Sequence, residues 1–424
     1  MQLQDIINIL GLQGVRAVNI HYIREDDRKI KEVQVKLKPL NPKQTCPCCN
    51  GNDVIHKGND GYRKIRHLKL GIVPCTLIVP CLRLECKACT VTYVYSYEFV
   101  KGKERYTEAF KAQIYEIAIG STVEHSAYLT GTPYSTAERF FKETAQKVAE
   151  RTVKQAQATA MDSQKLVLGI DDFATRKGHN YNTGIHDLRG ESLIGIAEGR
   201  TLPELRAYMA SNPQIAALKP FAIVVDLARG YHTFATEFFP EAIRVADRFH
   251  VNGYIIDALN EIRRRVGKSL AAKDRKHLNQ QRHLLNKRNE NLDLERRGKL
   301  KSLLSYSKEL ADAYALKEQL IDWYDCSYDY QSARIGLKRW LENGHKLNIP
   351  EVEAALSTFE NWQSEILNYH KCRFTNGIVE GRNGKIKSIQ RRHYFLRNRH
   401  FYEAICFIEC NRELAREQFR RLQA

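Results

Sequence analysis

A multidomain α+β protein is predicted from three observations. Strand-like alternation runs through the first hundred residues, a short block of apolar strands lies near residues 166–246, and helical periodicity fills most of the rest. At 424 residues the chain exceeds one ordinary domain, and its 43% hydrophobic content can supply more than one core. Aromatics at 9%, with 24 Gly and 11 Pro, exclude low-complexity and collagen-like classes. Lys and Arg total 67 against 49 Asp and Glu, a net charge of +18, which points to a polyanionic partner. No apolar run reaches the ~18 residues of a membrane span. The amino terminus carries Asp5 and no basic stretch, a poor signal peptide. A cytoplasmic protein is expected.

Residues 1–100 read as a β-rich module. Val15, Val18 and Ile20, then Ile30, Val33, Val35 and Leu37, alternate about the turn signal Glu25-Asp26-Asp27. Strand texture returns at Thr76–Val79 and Val91–Val94. Seven of the eleven cysteines fall between Cys46 and Cys89, clustering that suits a metal better than disulfides in a reducing compartment. Cys46-Pro-Cys-Cys49 and Cys86-Lys-Ala-Cys89 are two CxxC knuckles with 36 residues between them. Two knuckles present four thiolates to one tetrahedral ion, so structural Zn²⁺ in a zinc-ribbon-like module is expected on Cys46, Cys49, Cys86 and Cys89. Cys48, Cys75 and Cys81 leave the register open. The competing reading is a set of buried thiols with His67 a surface residue. Cys326, Cys372, Cys406 and Cys410 are expected to be small core residues.

Residues 101–160 read as helical. Glu108–Ile119, Val123–Leu129 and Tyr134–Val148 are the expected helices, and Gly131-Thr132-Pro133 separates the last two. With Ser121 and Ser135 as possible caps, this is helix–turn–helix spacing. The last helix would enter a major groove led by Ser135, Thr136, Glu138 and Arg139. Most helical hairpins bind nothing, and His125 reads as packed or solvated rather than as a ligand.

Residues 161–251 change texture. Leu166–Ile170 reads as a buried strand ending in Asp171-Asp172, with strands at Asn182–Asp187, Ser192–Ala197, Phe221–Val225 and Ala242–Ala246 and a helix at Leu202–Ala210. Residues 252–370 read as all-α, with Trp323, Trp340 and Trp362 as packing anchors. Residues 371–424 are expected to return to the catalytic core begun at 161–251 as its closing helices, carrying a third acid.

Asp171 and Asp226 stand at the ends of two core strands, 55 residues apart in sequence. Two carboxylates held side by side repel unless a cation lies between them. Glu380 is a third candidate, in the first turns of a helix capped by Thr375 or Asn376 and followed by a basic face of Arg382, Lys385 and Lys387. Three oxygen ligands suit Mg²⁺, and two ions about 3.5–4 Å apart suit phosphodiester chemistry. Strand-end aspartates are also frequent turn and cap residues. Asp172 competes with Asp171, since successive strand residues face opposite sides; Asp171 is favoured because the strand then ends one residue later. Asp247 is a structural alternative, and His250 is expected near the pocket.

The double-CxxC module, Gly169-Ile170-Asp171-Asp172-Phe173-Ala174, Val245-Ala246-Asp247-Arg248-Phe249-His250-Val251 and Asn376-Gly377-Ile378-Val379-Glu380-Gly381-Arg382-Asn383 together resemble the ISL3-type insertion-sequence transposases, in the same order over nearly the whole chain. The resemblance implies an RNase H-like α/β catalytic domain of the DDE type, with 252–370 as an all-α insertion. It puts the catalytic acids on Asp171, Asp226 and Glu380. Where the family often has Glu after the first acid, this chain has Asp172.

Two basic runs fit such a protein. Residues 261–301 hold 14 Lys/Arg against 5 Asp/Glu, including Arg263-Arg264-Arg265, and residues 371–424 hold 13 against 5. The second includes Arg391, Arg392, Arg397 and Arg399 among His393, Tyr394 and Phe395. Such runs are usually solvated faces, but two of one sign suit phosphate neutralisation, with aromatics free to stack on unpaired bases. The expected protein is therefore a DDE transposase using Zn²⁺ structurally and Mg²⁺ or Mn²⁺ catalytically. It would join transposon ends to target double-stranded DNA as a homodimer or higher oligomer, nucleoid-associated and away from membranes. A DNA-binding regulator without catalysis and an RNase H-like nuclease without strand transfer are the alternatives.

Overall fold

The computed structural model describes residues 3–26, 29–175, 180–393 and 398–423. Asp27 of the expected turn and Tyr394, Phe395 and Arg397 of the basic tail lie outside the described residues. The chain divides into two compact units, Met1–Glu150 with Arg397–Ala424, and Arg151–Leu396. No helix among the described residues is long and apolar enough to cross a membrane.

The first unit opens with a short helix α1 (Leu3–Ile9) and a five-stranded sheet: β1 (Val15–Arg24), β2 (Ile30–Pro39), β3 (Val54–Leu70), β4 (Val73–Cys86) and β5 (Thr92–Val94). The order is β1-β2-β4-β3 with β5 on β4, and only β2 and β4 run parallel. Alternation decides the faces. Val33, Val35, Leu37, Ile65, Leu77 and Val79 bury on one side with Ile6, Ile7 and Tyr97. β3 and β4 form a long hairpin whose two-residue turn uses Gly71 at φ +62. His67 is not a surface residue: it is 1% exposed, with one ring nitrogen on the Thr107 hydroxyl (2.9 Å) and the other on the Leu10 carbonyl (3.0 Å).

Helices α2 (Glu108–Ala118), α3 (Val123–Thr130) and α4 (Tyr134–Asp162) follow. Thr107 and Thr122 cap α2 and α3 through their hydroxyls. The expected cap Ser121 instead donates to the Ile117 carbonyl. Gly131, at φ +66, ends α3 in the left-handed conformation that leads into α4.

The second unit holds β6 (Val167–Ala174), β7 (Tyr181–Asp187), β8 (Ser192–Glu198), α5 (Leu202–Ser211), α6 (Pro213–Ala216), β9 (Ala222–Val225), α7 (Arg229–Phe238) and β10 (Ile243–Ala246). Its sheet order is β10-β9-β6-β7-β8; β6, β7 and β8 form an antiparallel meander, and β9 and β10 run parallel to β6. Helices α8 (Arg248–Ser269), α9 (Ala272–Gln280), α10 (Leu294–Leu304), α11 (Lys308–Cys326), α12 (Tyr330–Lys346), α13 (Pro350–Asn361) and α14 (Gln363–Asn368) share one apolar core with the sheet. Trp323 and Trp340 anchor it, their indole N–H groups donating to the Ala333 and Leu316 carbonyls (2.8 and 2.9 Å), and Trp362 packs at its margin. α15 (Gly377–Arg392) then returns to β6 and β7.

The last helices, α16 (Arg399–Cys410) and α17 (Arg412–Gln423), belong to the first unit, where Phe401 meets Phe141 and Phe419 stacks on Tyr115 at 4.5 Å. Cys372 and Cys406 are core residues as expected, Cys410 is half-buried, and Cys326 is exposed.

Candidate active site and metal centre

The two cysteine knuckles repeat one backbone geometry. The amides of Asn50 and Thr90 donate to the carbonyls of Cys46 and Cys86 (3.0 and 2.9 Å), and both residues have positive φ, 57° and 58°. Cys46 and Cys86 return amides to Gly51 and Val91. Each loop thus turns its two sulfurs inward. Cys46 Sγ lies 3.5 Å from Cys89 Sγ and Cys49 Sγ 3.5 Å from Cys86 Sγ. Backbone amides, led by that of Cys49, lower the Cys46 thiol to about 7. A Cβ on Gly51 would come within 3.2 Å of Cys49 Sγ, so glycine leaves the sulfurs room. These four ligand atoms cluster as a cation cage. Cys75 is buried in the sheet core and Cys48 is exposed, so neither enters it. The donor set fits Zn²⁺.

In the second unit, three acids stand level along one sheet edge. β6 pairs with β9 at Gly169–Val224, and two further residues bring Asp171 beside Asp226. β9 pairs with β10 at Val225–Ala246, and the Asp247 amide donates to the Val225 carbonyl (3.0 Å), so Asp247 is the next in line. This is the carboxyl end of parallel strands, where α/β sheets place ligands. One oxygen of Asp226, one of Asp247 and a ring nitrogen of His250 lie within 4.8 Å of one another. His250, in the first turn of α8, is hydrogen-bonded through Nδ1 to Asp226, which raises its imidazole to about 9.

α15 brings the fourth carboxylate. Asn376 occupies its N-cap position, but the side chain does not cap: Nδ2 donates to the Ile170 carbonyl (3.2 Å), and the backbone amide donates to Asp247 Oδ1 (3.0 Å). Two turns on, Asn383 Nδ2 donates to Asp171 Oδ2 (2.8 Å). Gly169 permits this approach, since a Cβ there would meet Val379 at 2.8 Å and Asn376 Oδ1 at 2.9 Å. Glu380 is half-buried between the two asparagines, and burial, then Asp247, raises its carboxyl. Burial, then Asp226 and Asp172, pushes Asp171 up to about 7. Asp247 is fully buried, its carboxyl also raised by burial, and its Oδ2 has no hydrogen-bond partner among the described residues. A buried orphan oxygen beside crowded carboxylates fits a divalent cation.

Asp171 and Asp172 diverge. The strand does not end beside them but runs on to Ala174, and its alternation separates the pair. Asp171 meets Asn383, whereas Asp172 meets the Tyr231 hydroxyl (3.3 Å) and Arg200 (3.6 Å). The asparagine clasps were not foreseen; their only sequence signal is the seven-residue spacing of Asn376 and Asn383.

The basic candidates scatter. Ser135 and Arg139 are exposed and Thr136 half-exposed at the start of α4. Lys387 and Arg391 are exposed on α15, whereas Arg382, Lys385 and Arg392 are half-buried, and Arg382 donates to the Glu191 carbonyl. Arg264 is exposed. Arg263 is buried (7% exposed) and bonded to Asn260 and Asn279, so packing rather than display explains it. Much of the 261–301 run is already neutralised: Arg265 by Glu309 and Glu351, Arg288 by Glu290, Asp322 and Asp325, and Lys299 by Glu295.

Comparison with known proteins gives the family of the chain. The family described as "Transposase", of the DDE ISL3 group, matches residues 168–406. The chain is 26% identical over 405 residues to the transposase for insertion sequence element IS1001 of Bordetella parapertussis, covering 92% of this chain and 94% of the relative. It is 24% identical over 247 residues to the transposase for insertion sequence element IS1557 of two Mycobacterium tuberculosis strains, covering 53% of this chain and 55% of that one.

Proposed function

The chain belongs to the ISL3 family of transposases, and from that premise we propose that it is a DDE enzyme that cleaves DNA at the ends of an insertion sequence and joins the freed 3′-OH to target DNA. The observation that carries this reading is the level placement of Asp171 and Asp226 on neighbouring parallel strands, with α15 clasped across them and carrying Glu380, whose carboxyl is raised by burial and by Asp247 and Asp226. The strand order β10-β9-β6-β7-β8, a meander followed by two parallel strands, supports the RNase H-like reading of the catalytic unit.

Asp171, Asp226 and Glu380 would hold two Mg²⁺ or Mn²⁺ ions, which when bound activate a water or 3′-OH and stabilise the departing phosphodiester oxygen. The chain's own groups position the reactants. Asn383 fixes the Asp171 carboxylate, Asp247 fixes the start of the helix that carries Glu380, and His250 holds Asp226. Lys387, Arg391 and Arg264 offer charge to the DNA backbone.

In the first unit, the cysteine cage holds structural Zn²⁺. The α3–α4 turn presents Ser135, Thr136 and Arg139 to the terminal inverted repeat as a helix–turn–helix. Because two ends must be joined together, a homodimer or larger assembly forms on DNA, in the nucleoid.

Incubating the protein and Mg²⁺ with a duplex from the inverted ends flanking its coding region, plus a target duplex, tests this. Joined products are expected, and Asp226→Asn or Glu380→Gln should lower joining by roughly three orders of magnitude while leaving end binding intact. Cleavage without joining would instead indicate a nuclease. Binding without chemistry in the unaltered protein would indicate a regulator.

A further inference from the structure

We propose that a cleft of about 340 Å³ in the first unit, between the polar face of its sheet and the Gly131-Thr132 turn, seats backbone phosphates of duplex DNA on Lys64, Arg66 and Arg105. The inference rests on the DNA-processing reading above and adds to it a binding place distinct from the groove-reading residues of α4.

The cleft follows from strand alternation. Lys64 and Arg66 flank the fully buried Ile65, so they project from the face opposite the apolar core, where Arg66 stands level with Thr76 on β4. The chain then brings in the third cation. The Arg66 amide donates to the Arg105 carbonyl (2.8 Å), and the Thr107 amide donates back to the Arg66 carbonyl (3.0 Å), clipping the 105–107 segment to the edge of β3. Three cations therefore line one cleft from backbone that is held in register.

Neutralisation separates these three from their neighbours. Lys57 pairs with Glu85, Arg83 with Asp60, Lys87 with Asp53, and Lys111 with Glu104 and Glu108. Lys64, Arg66 and Arg105 make no ion pair among the described residues. The cleft's one carboxylate, Glu32, accepts a hydrogen bond from Gln34 (3.3 Å). An excess of two positive charges in one recess is self-repelling until an anion enters. The remaining chemistry favours a phosphodiester over a nucleobase. Tyr106 is the aromatic of the lining, but its ring already packs against Phe110 and Phe140 (5.4 and 5.2 Å), leaving no platform for a base. Gly131 and Thr132 lead directly into α4, so a duplex whose backbone sits here passes the exposed start of that helix.

The test measures binding of the full-length, zinc-loaded protein to two duplexes of equal length, one with the flanking inverted repeat and one scrambled, over a series of salt concentrations. For Lys64→Gln/Arg66→Gln/Arg105→Gln, the slope of log affinity against log salt should become shallower by about 0.9 for each lost contact, hence by about 2 to 3. The loss should be equal on both duplexes, because phosphate contacts carry no sequence information. Arg83→Gln, whose arginine is already paired, should keep the original slope. If zinc content or circular dichroism shows that the triple variant is misfolded, the single Arg105→Gln at an exposed position should still lose about one contact. An unchanged slope in a folded variant, or a loss confined to the inverted repeat, overturns the phosphate seat and leaves the transposase reading standing. If the unaltered protein neither binds nor joins DNA, both readings fall.

Discussion

The cysteine cage and the acid cluster are built in opposite ways. The cage is assembled from two short loops whose own amides and carbonyls set its shape, and its four sulfurs close upon one another. The acid cluster is assembled from the interior of β6, the ends of β9 and β10 and a helix 129 residues beyond Asp247, and it leaves Asp247 Oδ2 buried with no hydrogen-bond partner among the described residues. A closed thiolate shell suits an ion that never meets substrate. An open carboxylate array suits ions that must share their coordination with phosphate.

The largest effect should come from breaking the closed centre. Chelating the zinc, or replacing Cys86 with Ser, should unfold the segment around β4 and β5, since binding free energy on the order of 10 kcal/mol is folding free energy in such sites. Metal analysis should find one zinc per chain in the unaltered protein and none in Cys86→Ser. A zinc-free protein with unchanged melting would remove the contrast between the two centres. Because thiolates must be deprotonated to bind, zinc retention should weaken as pH falls.

The open centre should respond to pH in the other direction. The folded Asp171 carboxyl lies near 7 against an ordinary 3.8, so between these values the folded protein holds the proton more tightly than the unfolded chain. Stability without divalent ions is therefore greatest below pH ~4 for this group and falls as pH rises through 7, by on the order of 4 kcal/mol. His250, raised to about 9, acts in the same sense higher up: its stabilising charge is present below 6.5 and lost as pH climbs through 9. Asp171→Asn should flatten the lower part of this decline, and added Mg²⁺ should raise the melting temperature more at pH 8 than at pH 5. Parallel melting profiles for Asp171→Asn and the unaltered protein would mean that Asp171 is not the crowded acid.

The same contrast explains what could be read from sequence. The CxxC spacing encodes the cage locally, and the apolar runs at Phe221–Val225 and Ala242–Ala246 locate β9 and β10 to within a residue, β9 because it is buried throughout and β10 because Val245 and Ala246 are buried at its end. β3 was not legible: its exposed positions include His56, Lys57, Asn59, Asp60 and Lys64, interrupted by Gly58 and Gly61, so composition hides a 17-residue strand. β6 was read short because Asp171 and Asp172 look like a terminus, although the ladder continues to Ala174 opposite Tyr181. Arg263 was misread because a charge run does not reveal which member turns inward. Asp171, Asp226 and Glu380 stand out as acids at element ends, but the Asn376 and Asn383 clasps span 206 and 212 residues and no local pattern encodes them.

The smallest expected effect tests the outer tier that only the open centre needs. Asn383 is 3% exposed and donates to Asp171 Oδ2, holding one carboxylate oxygen and leaving the other available. Asn383→Ala removes a hydrogen bond to a charged acceptor, a loss of about 1.5–3 kcal/mol when Asp171 is ionised. Its Asp171 should protonate at higher pH still, and its affinity for Mn²⁺, read by electron paramagnetic resonance, should fall roughly tenfold, as for other groups that orient metal ligands. Asn376→Ala should differ. It loses the bond to the Ile170 carbonyl, so it should lower the melting temperature, while its backbone amide still reaches Asp247 and Mn²⁺ affinity changes less. Equal losses of Mn²⁺ affinity in the two variants would mean that both asparagines merely dock α15. The cage has no counterpart to this experiment, because the backbone amides that orient its sulfurs survive an alanine substitution.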